Sequence, residues 1–213
     1  MYIDPKVTVA IPVYNVEPYV ERCINSVINQ DYKNIEILIT YDVSDDNSLQ
    51  IVIDTLEKST LSYKIIEKKK EEKGLGKSRN IILDNFQGDY LYFLDSDDYI
   101  APFTISLMVT EAISNDADIV AASHCSFDET ENKVDKFQYA VKRTFDNSLL
   151  KYYVYVDNGY FSVYSWNKLY KKSFLRDNNI KCMHDVIEDA IFSFLIIEKA
   201  KKQLFCQILL FII

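Results

Sequence analysis

Four β-rich runs, each followed closely by a polar cluster, most constrain what this chain can fold into. They are Val7–Ile11, Ile35–Tyr41, Tyr63–Glu67 and Tyr90–Leu94. Val7–Ile11 is continuously apolar, as a strand buried on both faces should be. Segments of helical period separate the runs. Val16, Tyr19, Val20, Cys23, Ile24, Val27 and Ile28 place one apolar face along a helix after a loop at Pro12–Val16. Leu49–Leu56 reads as a second helix, with Asn47 or Ser48 as its N-cap. Ser78–Phe86 reads as a third, with Ile81, Ile82 and Phe86 facing inward and Gly88 ending the unit. A helix over Phe103–Ser114 and a strand over Asp118–Ser123 follow. Such alternation predicts an α/β fold with a mostly parallel sheet and helices on both faces. In sheets of that kind ligands bind beyond the carboxyl ends of the strands.

The second half is less regular. Phe127–Val141 is polar and reads as a loop or a poorly packed hairpin, and Asn147–Val156 as a Tyr-rich helix. Gly159–Tyr170 looks extended and carries the lone Trp166; Glu188–Ala200 has a helical pattern. Leu204–Ile213 is strongly apolar but interrupted by Gln207, and falls short of the roughly 20 residues that span a bilayer. It reads as a final buried strand, with membrane-surface contact as the alternative. No repeat or low-complexity linker divides the chain, so residues 1–213 read as one domain.

A formal net charge of -8 argues against general nucleic-acid binding, which needs a basic footprint. The lysines from Lys64 to Lys77 form a local basic stretch broken by Glu67, Glu71 and Glu72, and most read as a solvated loop. Cys23, Cys125, Cys182 and Cys206 are scattered without a CxxC pair, which fits a reducing, cytoplasmic setting. His124 and His184 are too few for a histidine-rich metal site and read as surface or packing residues. No signal-peptide pattern precedes the first strand.

Four polar clusters follow the four strands: Pro12-Val13-Tyr14-Asn15, Asp42 through Ser48, Lys73 through Asn80, and Asp95-Ser96-Asp97-Asp98. Parallel topology brings them to one sheet edge. Three carboxylates after one buried strand repel each other and call for a cation. Hard oxygen ligands suit Mg²⁺ or Mn²⁺, which bind one or two carboxylates and complete their shell with phosphates and water. A diphosphate substrate is the natural partner. Neither Asp42 nor Asp95 opens an EF-hand, because the required Gly and Glu are absent. A phosphatase with an aspartyl nucleophile is the rival reading of these acids. Asp42 either starts a turn or hydrogen-bonds a nucleoside; no GxGxxG follows the first strand, which argues against a dinucleotide site. Gly74-Leu75-Gly76-Lys77 lacks P-loop spacing, yet its backbone N–H groups and Arg79 could meet a phosphate. A plain turn fits equally. Glu188-Asp189 opens a helix, where the helix dipole alone favours acids; the functional reading is a general base.

Several segments, in this order, resemble the family 2 glycosyltransferases of GT-A fold: VTVAIPVYN (Val7–Asn15), DYKNIEILI (Asp31–Ile39), SDDNS (Ser44–Ser48), FLDSDDYI (Phe93–Ile100), WNKLYKKSFL (Trp166–Leu175) and VIEDAIFSF (Val186–Phe194). The resemblance covers nearly the whole chain. It implies a nucleotide-sugar-binding half over about residues 1–100 and an acceptor and catalytic-base half over about residues 101–213. Pro12, Val13, Tyr14, Asn15 and Asp42 would line the nucleoside pocket, with Arg79 and Ser96 also on the donor. Asp95 and Asp97 would form the DxD motif that holds Mn²⁺ or Mg²⁺, and Asp189 would be the catalytic base. The implied reaction is inverting transfer from an NDP-sugar, UDP-sugar by family frequency, to a saccharide or lipid-linked acceptor in surface polysaccharide synthesis. The implied setting is cytoplasmic, extending to peripheral contact at the inner face of the membrane. Two departures stand out. Tyr41-Asp42-Val43-Ser44 replaces the family's Asp-Asp-Gly-Ser, and the chain stops soon after the Asp189 helix. The second sets a C-terminally shortened, non-catalytic nucleotide-sugar-binding form beside the active one.

Overall fold

The computed structural model describes residues 4–127, 133–137, 143–146, 164–182 and 188–212. The expected Tyr-rich helix over Asn147–Val156 lies outside them. Strands β1 (Val7–Val13), β2 (Ile35–Tyr41), β3 (Ser62–Glu67) and β4 (Tyr90–Phe93) run parallel. Helices α1 (Val20–Ile28), α2 (Ser48–Leu56) and α3 (Leu75–Asn85) alternate with them as the sequence period predicts, except that α3 begins three residues before the expected Ser78, so Leu75, Gly76 and Lys77 are helical and only Gly74 remains as its N-cap. Then come α4 (Thr104–Ser114), β5 (Ile119–Phe127), β6 (Lys133–Phe137), β7 (Arg143–Asp146), β8 (Lys168–Lys171), α5 (Lys172–Asp177), α6 (Glu188–Lys199) and β9 (Lys202–Ile212). Among the described residues nine strands form one sheet in the order β3-β2-β1-β4-β8-β5-β9-β7, with β6 on β5. The polar segment after Phe127 thus contains a hairpin strand, β6, antiparallel to β5. The apolar C-terminal segment is a strand between β5 and β7.

Side chains that alternate along each strand explain why β1 and β2 are apolar throughout. Val7, Val9, Ile11 and Val13 join Ile35, Ile37 and Ile39 in a core with α1, α2 and α4. Ala10 and Leu38 face the other way, into a core with α3, α5 and α6. Period-two alternation therefore buries both faces. Two sequence expectations shift locally. Ile81 is half-buried, and Leu83 takes the inward position beside Ile82 and Phe86. Asn47 is the N-cap residue of α2, as expected, but makes no side-chain cap bond; Asp46 Oδ1 accepts the Ser48 N–H at 3.0 Å instead.

The site is positioned by a switch in strand order. From β1 the chain moves outward to β2 and β3, then returns to β4 on the other side of β1. Beside β4, β1 is paired only over Val7–Ala10, whereas β2 follows it to Val13. The expected loop at Pro12 is thus the end of a strand. Proline fits there because its missing N–H falls where β1 has lost its β4 neighbour. The opening beyond Ala10 is the crevice where open α/β sheets bind ligands. Gly88 fixes the approach to β4. A Cβ there would lie 2.6 Å from the Thr8 nitrogen and 2.7 Å from the Tyr90 carbonyl oxygen, so no side chain fits.

Candidate active site

Pro12, Val13, Tyr14, Asp42, Asp95, Ser96 and Asp97 line one cleft of about 360 Å³ at this crevice, joined by Lys73, Gly74, Leu75 and Ser78. A roomier hollow of about 550 Å³ near Asp89, Tyr90, Lys171 and Arg176 lies at the amino end of β4 and holds none of the expected acids. The backbone ladder places the cleft residues. The Asp42 N–H donates to the Val13 carbonyl at 2.9 Å, and the Leu94 N–H to that of Ala10 at 3.0 Å. Asn15 stands apart from the lining. It has φ +50°, its N–H donates to Ser44 Oγ, and its Oδ1 accepts the Asp45 N–H at 2.9 Å. It therefore fastens the first strand-end loop to the second.

Asp42 is buried and anchored. Its Oδ1 pairs with Lys68 Nζ at 2.5 Å, and its Oδ2 accepts the Gly74 N–H at 3.1 Å. Lys68 also donates to Ser78 Oγ at 2.7 Å and to the Gly74 carbonyl at 3.0 Å. Gly74 has φ +124°, a conformation that glycine adopts without strain, so the turn opening α3 is clamped onto Asp42. The expectation that the basic stretch is mostly a solvated loop fails at Lys68, which is 4% exposed. The available signal was register: Tyr41 pairs with Glu67, which sets the next residues, Asp42 and Lys68, side by side. Lys73 reaches back over the cleft to the Tyr14 hydroxyl at 2.6 Å.

The acids after β4 divide by exposure. Asp97 is exposed, Asp95 partly so, and Ser96 and Asp98 are buried. Their field is felt nearby. Burial pushes the Cys23 thiol well above its ordinary range, and Asp98, Asp95 and Asp97 push it further. Burial and Asp98 likewise raise the Tyr92 phenol. Such a field favours a cation at the cleft mouth. Among the described residues no group of three His, Cys, Asp or Glu side chains closes around one point. Asp95 and Asp97 would offer an open donor set of two carboxylates, leaving positions for phosphate oxygens and water, which suits Mg²⁺ or Mn²⁺.

Asp189, in the first turn of α6, is joined to these acids through Arg79. A ring cluster docks that helix: Phe192 meets Phe93 of β4 and Tyr170 of β8 edge-to-face, with centroids 6.0 and 5.7 Å apart. Asp189 Oδ1 pairs with Arg79 Nη1 at 2.8 Å and accepts the Ser165 N–H at 3.0 Å. Arg79 Nη2 lies 3.7 Å from Asp95 Oδ1. Arg79, expected at the phosphate, is 1% exposed and bridges the two acids beneath the cleft. Sequence reasoning missed Lys168, also 1% exposed, which donates to the Tyr164 carbonyl at 2.5 Å. Burial lowers its pKa to about 7 against the opposing attraction of Asp189.

The model of glycosyl transferase family 2 matches residues 8–191. The chain belongs to that family. This family 2 glycosyltransferase chain is 34% identical over 180 residues to glycosyltransferase GlyA of Streptococcus pneumoniae, covering 80% of this chain and 25% of the relative. It is 31% identical over 196 residues to putative glycosyltransferase EpsH of Bacillus subtilis, covering 89% and 55%. The fold is GT-A: Staphylococcus aureus TarS residues 1–349, solved in complex with UDP-GlcNAc, superimposes with a TM-score of 0.80 at 25% identity, covering 95% of this chain and 56% of that one. The chain thus spans about half or less of the length of these proteins. Family membership removes the phosphatase reading of the strand-end acids. No helix among the described residues is long and apolar enough to cross a membrane.

Proposed function

We propose that this chain transfers a sugar, with inversion, from a UDP-sugar to a saccharide or lipid-linked acceptor in cell-surface polysaccharide synthesis. The observation that carries this reading is the convergence of two acidic centres. Asp95 and Asp97 open the cleft at the strand switch, and Asp189, distant in sequence, is joined to Asp95 through Arg79. The TarS complex with UDP-GlcNAc supports the choice of UDP.

The nucleoside would lie along Pro12, Val13 and Tyr14, with Asp42 at its edge and Ser96 beside the ribose and phosphates. Asp95 and Asp97 would hold Mn²⁺ or Mg²⁺, which when bound supplies charge neutralisation at the diphosphate. Asp189 Oδ1 already takes Arg79 and the Ser165 N–H, so Oδ2 is the oxygen that accepts the acceptor hydroxyl's proton. As that proton moves, the acceptor oxygen bonds to the anomeric carbon from the face opposite the diphosphate. The bond from that carbon to the diphosphate breaks, and UDP leaves with its electron pair.

The test is UDP release from UDP-GlcNAc and other UDP-sugars in the presence of Mn²⁺, with and without candidate saccharide acceptors. Acceptor-stimulated release, with an inverted anomeric product by NMR, supports the reading. UDP binding without any turnover would instead identify a non-catalytic nucleotide-sugar-binding chain.

A further inference from the structure

Two buried basic side chains from different parts of the chain act on Asp189, Arg79 by direct contact and Lys168 through a turn. Arg79, on α3, pairs Nη1 with Asp189 Oδ1 at 2.8 Å while Nη2 stands 3.7 Å from Asp95. Lys168, opening β8, donates from Nζ to the carbonyl oxygens of Tyr164 at 2.5 Å and, more weakly, Trp166 at 3.5 Å. Those two carbonyls bracket Ser165, whose N–H donates to the same Asp189 oxygen at 3.0 Å. Tyr170, also buried, ties the turn down by donating its hydroxyl to the Ser165 carbonyl at 2.8 Å. The 164–167 turn is therefore held at each of its first three carbonyls, and the N–H it presents is aimed at the carboxylate.

Cations kept out of water at this cost need a reason. A methionine would fill the Lys168 site without desolvating an ammonium group. Burial already draws the Lys168 pKa down to about 7. Arg79 is equally costly, and its two ends reach one acid of the donor side and one of the acceptor side.

We propose that Arg79 and Lys168 are positioning residues that fix the Asp189 carboxylate for proton acceptance, Arg79 directly and Lys168 through the Tyr164–Trp166 turn, and that Arg79 is not a diphosphate ligand. The proposal rests on the reading of Asp189 as the proton acceptor. A carboxylate with one oxygen doubly engaged has its other oxygen set in direction, which is what a general base needs. A lysine at position 79 keeps the charge but cannot span two acids with one planar fork.

The experiment measures UDP-GlcNAc turnover with Mn²⁺, water serving as acceptor, and UDP affinity by calorimetry. It compares wild type, Arg79→Lys, Lys168→Met, Asp189→Asn and the Arg79→Lys/Asp189→Asn double variant. Thermal melts establish that each is folded. Positioning predicts that kcat falls about 10²-fold in Arg79→Lys and Lys168→Met while UDP affinity and donor KM hold. It also predicts a double variant no slower than Asp189→Asn alone, because Arg79 acts through Asp189. That non-additivity decides the matter even where Lys168→Met does not fold. A diphosphate ligand would behave differently: Arg79→Lys would weaken UDP by about tenfold or more, which overturns the proposal. Unchanged kcat in folded Lys168→Met, or additive losses in the double variant, overturn it too and leave the donor reading intact. Wild type that neither binds UDP nor turns over the donor overturns the proposed function, and this proposal with it.

Discussion

The acids that follow β4 and the Asp189 carboxylate are joined through Arg79 but are placed by different forces. Asp95 and Asp42 sit one or two residues beyond parallel strands, and the backbone ladder of β1, β2 and β4 sets their positions. Asp189 stands on the first turn of α6, and its carboxylate is oriented by Arg79 and by the N–H of Ser165. Removing an exposed side chain such as Asp97 from a ladder-placed cleft leaves its walls standing. Removing one from a charge-placed centre releases its neighbours. Losses on the donor side should therefore appear as binding, and losses around Asp189 as turnover.

The largest expected effect is at Asp189. Asp189→Asn should lower kcat by about 10²–10⁴-fold, the usual worth of a general base, with UDP affinity retained in calorimetry. An equal loss of both would break the division between the two regions. Asp42 should show a stability effect instead. Asp42→Ala strands Lys68, whose side chain is fully buried, and should cost about 3–5 kcal/mol in urea denaturation. A cost near zero would mean that the Gly74 turn relaxes to let Lys68 reach water.

The pH dependence of stability sharpens the contrast further. The folded chain releases the Lys168 proton near pH 7, while the unfolded chain holds it to about the ordinary 10.5. Between those values the unfolded state binds more protons, so this residue makes stability rise with pH across that window. Lys168→Met should flatten that part of the urea-midpoint profile; an unchanged slope would assign it to other groups. The smallest effect is expected at the cleft rim. Tyr14→Phe removes the hydroxyl bonded to exposed Lys73 and should leave the melting temperature unchanged, as exposed polar pairs contribute little.

What the sequence revealed follows the same division. Period alone located β1 through β4, the helices between them, and the acids at their ends, because these depend on short-range pattern. Pairing between strands distant in sequence was not legible. Lys68 reads as one lysine in a basic stretch until β2 and β3 are set in register beside each other. Lys168 reads as a polar residue of an extended segment until β8 is inserted antiparallel between β4 and β5, closing water away from it. Arg79 was legible as a candidate phosphate contact by its place after the Gly74 turn. Its reach to Asp189, across more than half the chain, depends on where α6 docks.

The central claim is that Asp95 and Asp97 make this cleft a metal-dependent nucleotide-sugar site. Calorimetric titration with UDP, with and without Mn²⁺, in wild type and Asp97→Ala tests it most directly. The account expects Mn²⁺-dependent binding in wild type that disappears in Asp97→Ala, with the variant's melting temperature retained because Asp97 is exposed. Equal binding by both proteins, or no binding of UDP by folded wild type, would contradict it.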